Sequence, residues 1–273
     1  MECGAGGLAR DKQMATQSIP YERVLQKIPT PIARLTLNNP PLNVIDIPLM
    51  EELARAIAEI EVRAEISVIV LSAAGNAFSA GVDVAAHSAD KVESMLSNFH
   101  AVIRALVASK KVTIAEVRGP CLGGGTELAM VCDLVYTAED AQWGFPEIKL
   151  GCYPPVAATA LSALVGQKRA AELVLTGRTI TGAEAARIGL ATESVSNEKL
   201  EETVEKVTRN LSYLSPAALA VAKKAFYAWD SVHFDKGLAR AEKIYFEDLM
   251  KTEDAREGIS AFLEKRTPIW RGK

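Results

Sequence analysis

Two glutamates and a run of glycines are the residues of this chain best placed to do chemistry. In residues 119–133, GPCLGGGTELAMVCD, three consecutive glycines lead into an apolar segment, and Glu127 stands two residues past the last of them. Glu147 follows Pro146 in AEDAQWGFPEIKLGCYPP, a stretch rich in aromatic residues, glycine and proline. A glycine turn between a strand and a helix lets backbone N–H groups approach a ligand closely. A nucleotide phosphate does not fit this turn. A Walker loop needs Lys and then Ser or Thr after its last glycine, whereas Thr126 and Glu127 follow here, and a dinucleotide fingerprint begun at Gly123 meets Leu128 at its third glycine. What remains is a set of backbone donors for an oxygen that turns negative only during reaction, with a carboxyl group beside it to act as acid or base. Two carboxyl groups near one such trap suit the addition or removal of water across a double bond: one deprotonates the water and the other helps supply a proton. The plainer alternatives are that Glu127 merely complements a helix dipole, that the glycines merely permit close packing, and that Glu147 is a surface loop acid.

The elements that must hold these residues alternate. Residues 32–38, 67–73, 112–117 and 133–138 read as strands, 67–73 as a short apolar run covered on both faces and the two after it as further buried strands. Between them, Leu49, Leu53, Ile57 and Ile60 recur at helical spacing, as do Met95, Phe99, Val102, Ile103 and Leu106. The pattern predicts an α/β core with a mostly parallel sheet and right-handed crossovers. The strand–glycine–helix arrangement occurs twice in it, in VIVLSAAGNAFSAGVDVAAH and in IAEVRGPCLGGGTELAMVC. Past about Asn197 the strands stop and helical segments follow, one opened by Ser215 as N-cap and Pro216 at the first helical position. The expected organisation is a disordered tail over residues 1–18, a core bearing the site over 19–196, and a helical region over 197–273.

Charge and composition exclude other roles. With 31 basic against 34 acidic residues and a net charge of −3, nothing argues for a nucleic-acid partner. The apolar runs fall short of the roughly 20 residues that span a bilayer, so no membrane role is expected. Cys3, Cys121, Cys132 and Cys152 form no CxxC pair and no metal-ligand spacing with the three histidines, which points to a reduced, cytoplasmic setting and no metal.

Taken together, NAFSAGVD, GPCLGGGTELAMVCDLVYTAEDAQWGFPEIKLG and LTGRTITGAEAARIGL resemble the enoyl-CoA hydratase/isomerase, or crotonase, superfamily, over about residues 21–266. The resemblance implies a crotonase-like spiral of β-β-α turns with a C-terminal helical region that builds a homotrimer, often paired into a hexamer. It implies an acyl-CoA thioester as substrate, coenzyme A being part of that substrate and no separate cofactor being needed. The thioester oxygen would enter an oxyanion hole whose donors match the N–H groups of Val82 and Gly124. Hydratases of the family use two glutamates at positions matching Glu127 and Glu147, and the presence of both favours a hydratase over an isomerase, dehalogenase or thioesterase. By the same resemblance Ala80 and its neighbours line the adenine site of CoA, and Phe262 and Lys265 reach CoA across a subunit contact, although Lys265 reads equally as a solvated helix charge. Asp83 reads as a local cap rather than a catalyst.

One position departs from the family pattern. Pro155 stands where a glycine N–H would help hold the attacking water, and proline has no N–H. With NPPLNVID, the segment GCYPPVAATAL is similar to the cyclic dienoyl-CoA (cyclohexa-1,5-diene-1-carbonyl-CoA) hydratases. The competing expectations are a double-bond isomerase and a non-catalytic CoA-ester-binding protein of the same fold.

Overall fold

Strand β1 (Val24–Lys27) runs antiparallel to β2 (Ile32–Leu37), whose alternate residues Ala33, Leu35 and Leu37 are buried. The computed structural model describes residues 20–88, 90–227 and 230–272, so the expected tail lies outside the described residues. Helix α1 (Ile47–Glu61) follows; Asp46 caps it by accepting the Leu49 N–H at 2.9 Å, and the expected Leu49, Leu53, Ile57 and Ile60 form its buried face. Strand β3 (Val68–Ala73) begins one residue later than expected, and its Val68–Leu71 portion is wholly buried. Helix α2 (Val92–Ala108) packs on α1 and leads to β4 (Val112–Val117).

The second glycine turn is flanked by short elements that periodicity did not reveal. Strand β5 (Pro120–Leu122) precedes helix α3 (Gly124–Met130), and β6 (Leu134–Ala138) and β7 (Gln142–Gly144) follow. Then come α4 (Pro155–Val165), α5 (Gln167–Thr176), β8 (Thr179–Thr181), α6 (Gly182–Arg187) and β9 (Glu193–Val195). The larger sheet has the order β1-β2-β3-β4-β6-β9, parallel from β2 onward, and the smaller one the order β5-β7-β8. Three-residue strands carry too little alternation to be read from sequence, which is why the smaller sheet was not expected.

The smaller sheet matters because it stacks the two glycine turns. The Ser79 N–H donates to Pro120 C=O at 3.0 Å and the Leu122 N–H to Ser79 C=O at 2.9 Å, binding the first turn to β5. Asn43, at φ 48°, fastens the first turn from the other side by donating to the carbonyls of Ala74 (2.8 Å) and Ala77 (2.7 Å).

Past Asn197 the chain is helical: α7 (Leu200–Ser212), α8 (Pro216–Tyr227), α9 (Asp230–Glu247) and α10 (Glu253–Leu263). Ser215 accepts the Ala218 N–H at 3.3 Å, as a cap of α8. Helix α9 lies on α4 and α2, where Glu242 accepts from His100 Nδ1 at 2.6 Å and from Arg104 at 3.0 Å. Helix α10 packs on two 3-10 turns, residues 84–87 and 146–150. The C-terminal helices therefore close over the end of the core where both glycine turns emerge. No helix among the described residues is long and apolar enough to cross a membrane.

Candidate active site

Helix α3 starts where it does because Gly123 turns the chain at φ 52°, ψ −126°, a conformation costly for any residue with a Cβ. Its N–H is spent on Gly144 C=O at 2.9 Å. Gly124 brings α3 against the first turn: a Cβ there would lie 2.6 Å from Val82 Cγ2 and 3.4 Å from Val82 N. Val82 pairs in parallel with Ile45, and that bridge uses the Gly81 carbonyl (2.9 Å) and the Asp83 N–H (3.2 Å). The Val82 N–H is left pointing away from Ile45, and neither it nor the Gly124 N–H at the start of α3 donates to a described residue. Asp83 acts locally, accepting the Ala85 N–H at 3.0 Å to cap the short 3-10 turn.

Glu127 is carried on the first turn of α3 and is 3% exposed. Its Oε1 accepts the Ala157 N–H at 2.9 Å. The partner is the start of α4, which has Pro154 as N-cap and Pro155 at its first position and so has no capping side chain of its own. Glu127 takes the role of that cap from across the chain. The helix N–H groups of Ala157 and Val156 favour its ionised form, but burial outweighs them and holds the carboxyl above the usual carboxylate range.

Glu147 sits on the 3-10 turn Pro146–Leu150 rather than in a loop. Its Oε2 is buried without a hydrogen-bond partner, and a Cβ on Gly123 would lie 2.5 Å from its Oε1. Burial, and then the charge of Glu127, push its carboxyl up. Two like groups this close resist holding two charges, so near neutral pH the pair favours sharing one proton.

Both glutamates line one cavity, with about 70 Å³ open to water-sized occupants, together with Ala80, Val82, Gly124 and Pro155. Phe262, 51% exposed near the end of α10, and Lys265, at φ 55° just beyond it, do not line that cavity. Of the other lining residues, His87, Tyr153 and Tyr245 were not singled out in the sequence, and Cys152 was read there only as a reduced thiol. Nothing in the periodicity of α9 distinguishes Tyr245 from a core aromatic residue. His87 has its Nδ1 3.1 Å from Asp83 C=O, which fixes that nitrogen as the donor, and burial lowers its pKa so that the ring is neutral. Cys121, Cys132 and Cys152 are free thiols, each raised by burial.

The sequence profile of the enoyl-CoA hydratase/isomerase family matches residues 27–273. The chain belongs to the enoyl-CoA hydratase/isomerase family. This family member is 34% identical to a cyclohexa-1,5-dienecarbonyl-CoA hydratase of Thauera aromatica, the match covering 89% of this chain and 93% of that one. It is 35% identical to a probable enoyl-CoA hydratase of Mycobacterium tuberculosis, over 91% of this chain and 97% of the other. Among solved structures it superimposes on an enoyl-CoA hydratase of Mycobacterium avium subsp. paratuberculosis with a TM-score of 0.84 at 28% identity, covering 92% of this chain and all of that one. The α/β crotonase-like fold is thus established, and this family member is an enzyme of the enoyl-CoA hydratase, or hydro-lyase, type.

Proposed function

We propose that this enzyme is an acyl-CoA hydratase that adds water reversibly across a double bond of an enoyl- or dienoyl-CoA thioester. The observation that carries the reading is the meeting, in one buried cavity, of two carboxyl groups of raised pKa and two uncommitted backbone N–H groups. A pair that holds one proton between two carboxyls contains a base and an acid in the same resting state. The water oxygen bonds to the β-carbon as its proton passes to the ionised carboxylate. The double-bond electrons move toward the thioester, whose oxygen gains charge and is held by the N–H groups of Val82 and Gly124. The α-carbon then takes the proton of the other carboxyl, which completes the addition. Because the donors are main-chain groups on packed turns, they need little reorganisation as charge develops.

The CoA portion extends past Ala80, and Phe262 and Lys265 meet it in a homotrimer or dimer of trimers. Support for assembly comes from α8, which has no buried residue and exposes Val221 and Phe226. The cyclic dienoyl esters are the acyl class to test first, on the strength of Pro154-Pro155 and the Thauera relative.

Incubating the enzyme with linear enoyl-CoA and with cyclohexadienoyl-CoA in ¹⁸O-labelled water tests the reaction. The label should enter the hydroxyl of the product. A shift of the double bond with no label taken up would instead identify an isomerase, and tight binding with no conversion of any ester would identify a binding protein.

A further inference from the structure

Two residues lining the cavity each carry a buried side-chain oxygen without a protein partner, Glu147 at Oε2 and Tyr245 at its hydroxyl. Tyr245 is 1% exposed, and its ring is fixed between Tyr153 (centroids 5.2 Å apart) and Phe246 (6.0 Å). Its helix, α9, is held to α2 through Glu242 and to the residues before α4 through the Tyr153 hydroxyl, which donates to Ala241 C=O at 2.6 Å. The unpaired hydroxyl is therefore a fixed feature of the wall and not a rotamer awaiting a partner.

Among the described residues, the other donors beside Glu147 are missing or already committed. At the start of α4 the first position is Pro155, which has no N–H, and the Ala157 N–H is given to Glu127. The Gly123 N–H goes to Gly144 and the Tyr153 hydroxyl to Ala241. The Cys152 thiol points to Leu150 C=O at 3.6 Å; it stands beside Tyr245 without hydrogen-bond geometry to it, and a thiol is a weak donor in any case.

We propose that the Tyr245 hydroxyl holds the reacting water against Glu147, supplying the donor that Pro155 cannot. A water lodged between them donates to Glu147 and accepts from Tyr245, satisfying both buried atoms and leaving its other proton for Glu127 and its remaining lone pair for the β-carbon. Burial raises the phenol far above neutral pH, so it stays protonated and acts only as a donor. Tyr245 transfers no proton in this scheme. Its contribution is the orientation of the nucleophile.

The proposal rests on the hydratase reading, and the test separates the two. Wild type, Tyr245→Phe, Pro155→Gly and the double variant are compared for hydration and for ¹⁸O uptake. Tyr245→Phe should lower kcat by about 100-fold, as loss of one pre-organised donor does, with KM nearly unchanged. Pro155→Gly restores an N–H at the start of α4, so the double variant should recover at least about 10-fold of that loss, a rescue that a packing defect at Tyr245 would not show. Tyr245→Phe with wild-type kcat, a loss confined to KM, or a loss that Pro155→Gly leaves uncorrected would each overturn the proposal while the hydratase reading stands. Absence of label uptake by the wild type would overturn both.

Discussion

Glu127 and Glu147 are the same residue type in the same cavity, and the fold treats them differently. Glu127 belongs to an α-helix and is tied at Oε1 by the Ala157 N–H. Glu147 rides on a single 3-10 turn and keeps Oε2 unpaired. A carboxyl that accepts helix N–H groups is the one of the pair favoured as the anion, which suits taking a proton from water. A carboxyl with an unpaired oxygen, pushed up further by its neighbour's charge, is the one favoured in the protonated form, which suits delivering a proton to carbon. Under the proposed hydration this contrast suits Glu127 to the water's proton and Glu147 to the α-carbon in the addition direction, a choice the sequence left open.

Breaking either side of that contrast should give the largest effect. Glu127→Gln and Glu147→Gln are each expected to lower kcat for hydration by about 10³-fold, within the range of general acid–base groups, while acyl-CoA binding measured by calorimetry persists. The assignment is sharpened by exchange at the α-carbon in deuterated water, starting from the hydrated product. Glu147→Gln should abolish the exchange, and Glu127→Gln should retain part of it. Full hydratase activity in either variant would remove the two-carboxyl mechanism.

How much of this was legible beforehand follows from the length of the elements. Strands β2, β3, β4 and β6 and helices α1 and α2 were readable because each is long enough to repeat its apolar period and bury it. The smaller sheet was not, since β5, β7 and β8 have three residues each and are held by neighbours rather than by pattern. At the site, the glycines and the glutamates stood out because a carboxyl beside a glycine turn is chemically odd. Tyr245 and the bond from Ala157 to Glu127 were invisible because they depend on α9 and α4 being folded over the cavity. A tyrosine in a helix has no local signature of the wall it completes.

A second comparison, between the two glycine turns, should give an intermediate effect. Gly75 and Gly123 both have positive φ, at 78° and 52°. A Cβ on Gly75 meets nothing within 4 Å, whereas one on Gly123 falls 2.5 Å from Glu147 Oε1. Both alanine variants incur the backbone strain of about 1–3 kcal/mol expected at such a φ, which urea denaturation would report. Only Gly123→Ala must also displace Glu147, and its kcat is expected to fall by about 10- to 100-fold, the scale of a misplaced catalytic group. Gly75→Ala should keep its kcat. Equal activity losses in the two variants would mean that the second turn is no more demanding than the first.

The smallest effect expected is on stability, and it separates the two glutamates once more. In the folded protein burial and the neighbouring charge hold the Glu147 carboxyl above its ordinary value of 4.5, so folding favours the protonated form. That contribution is complete below about pH 4.5 and is lost as pH rises through the folded value, at about 1.4 kcal/mol for each pH unit separating the two. Glu147→Gln has no proton to lose and also relieves Glu127 of a like charge. Its melting temperature should therefore decline less than that of wild type between about pH 5 and pH 9, and exceed it at the alkaline end. Glu127→Ala removes the same kind of titration but also uncaps α4, whose N–H groups have no side chain of their own to turn to. That loss is about 1 kcal/mol, and it lowers the melting temperature even in acid, where a carboxyl that only titrated would leave no deficit. Thermal melts of the three proteins across this range would show parallel curves if the two carboxyls were equivalent. The fold predicts curves of different slope for Glu147→Gln and of different height for Glu127→Ala, because one carboxyl is merely buried there and the other also holds a helix in place.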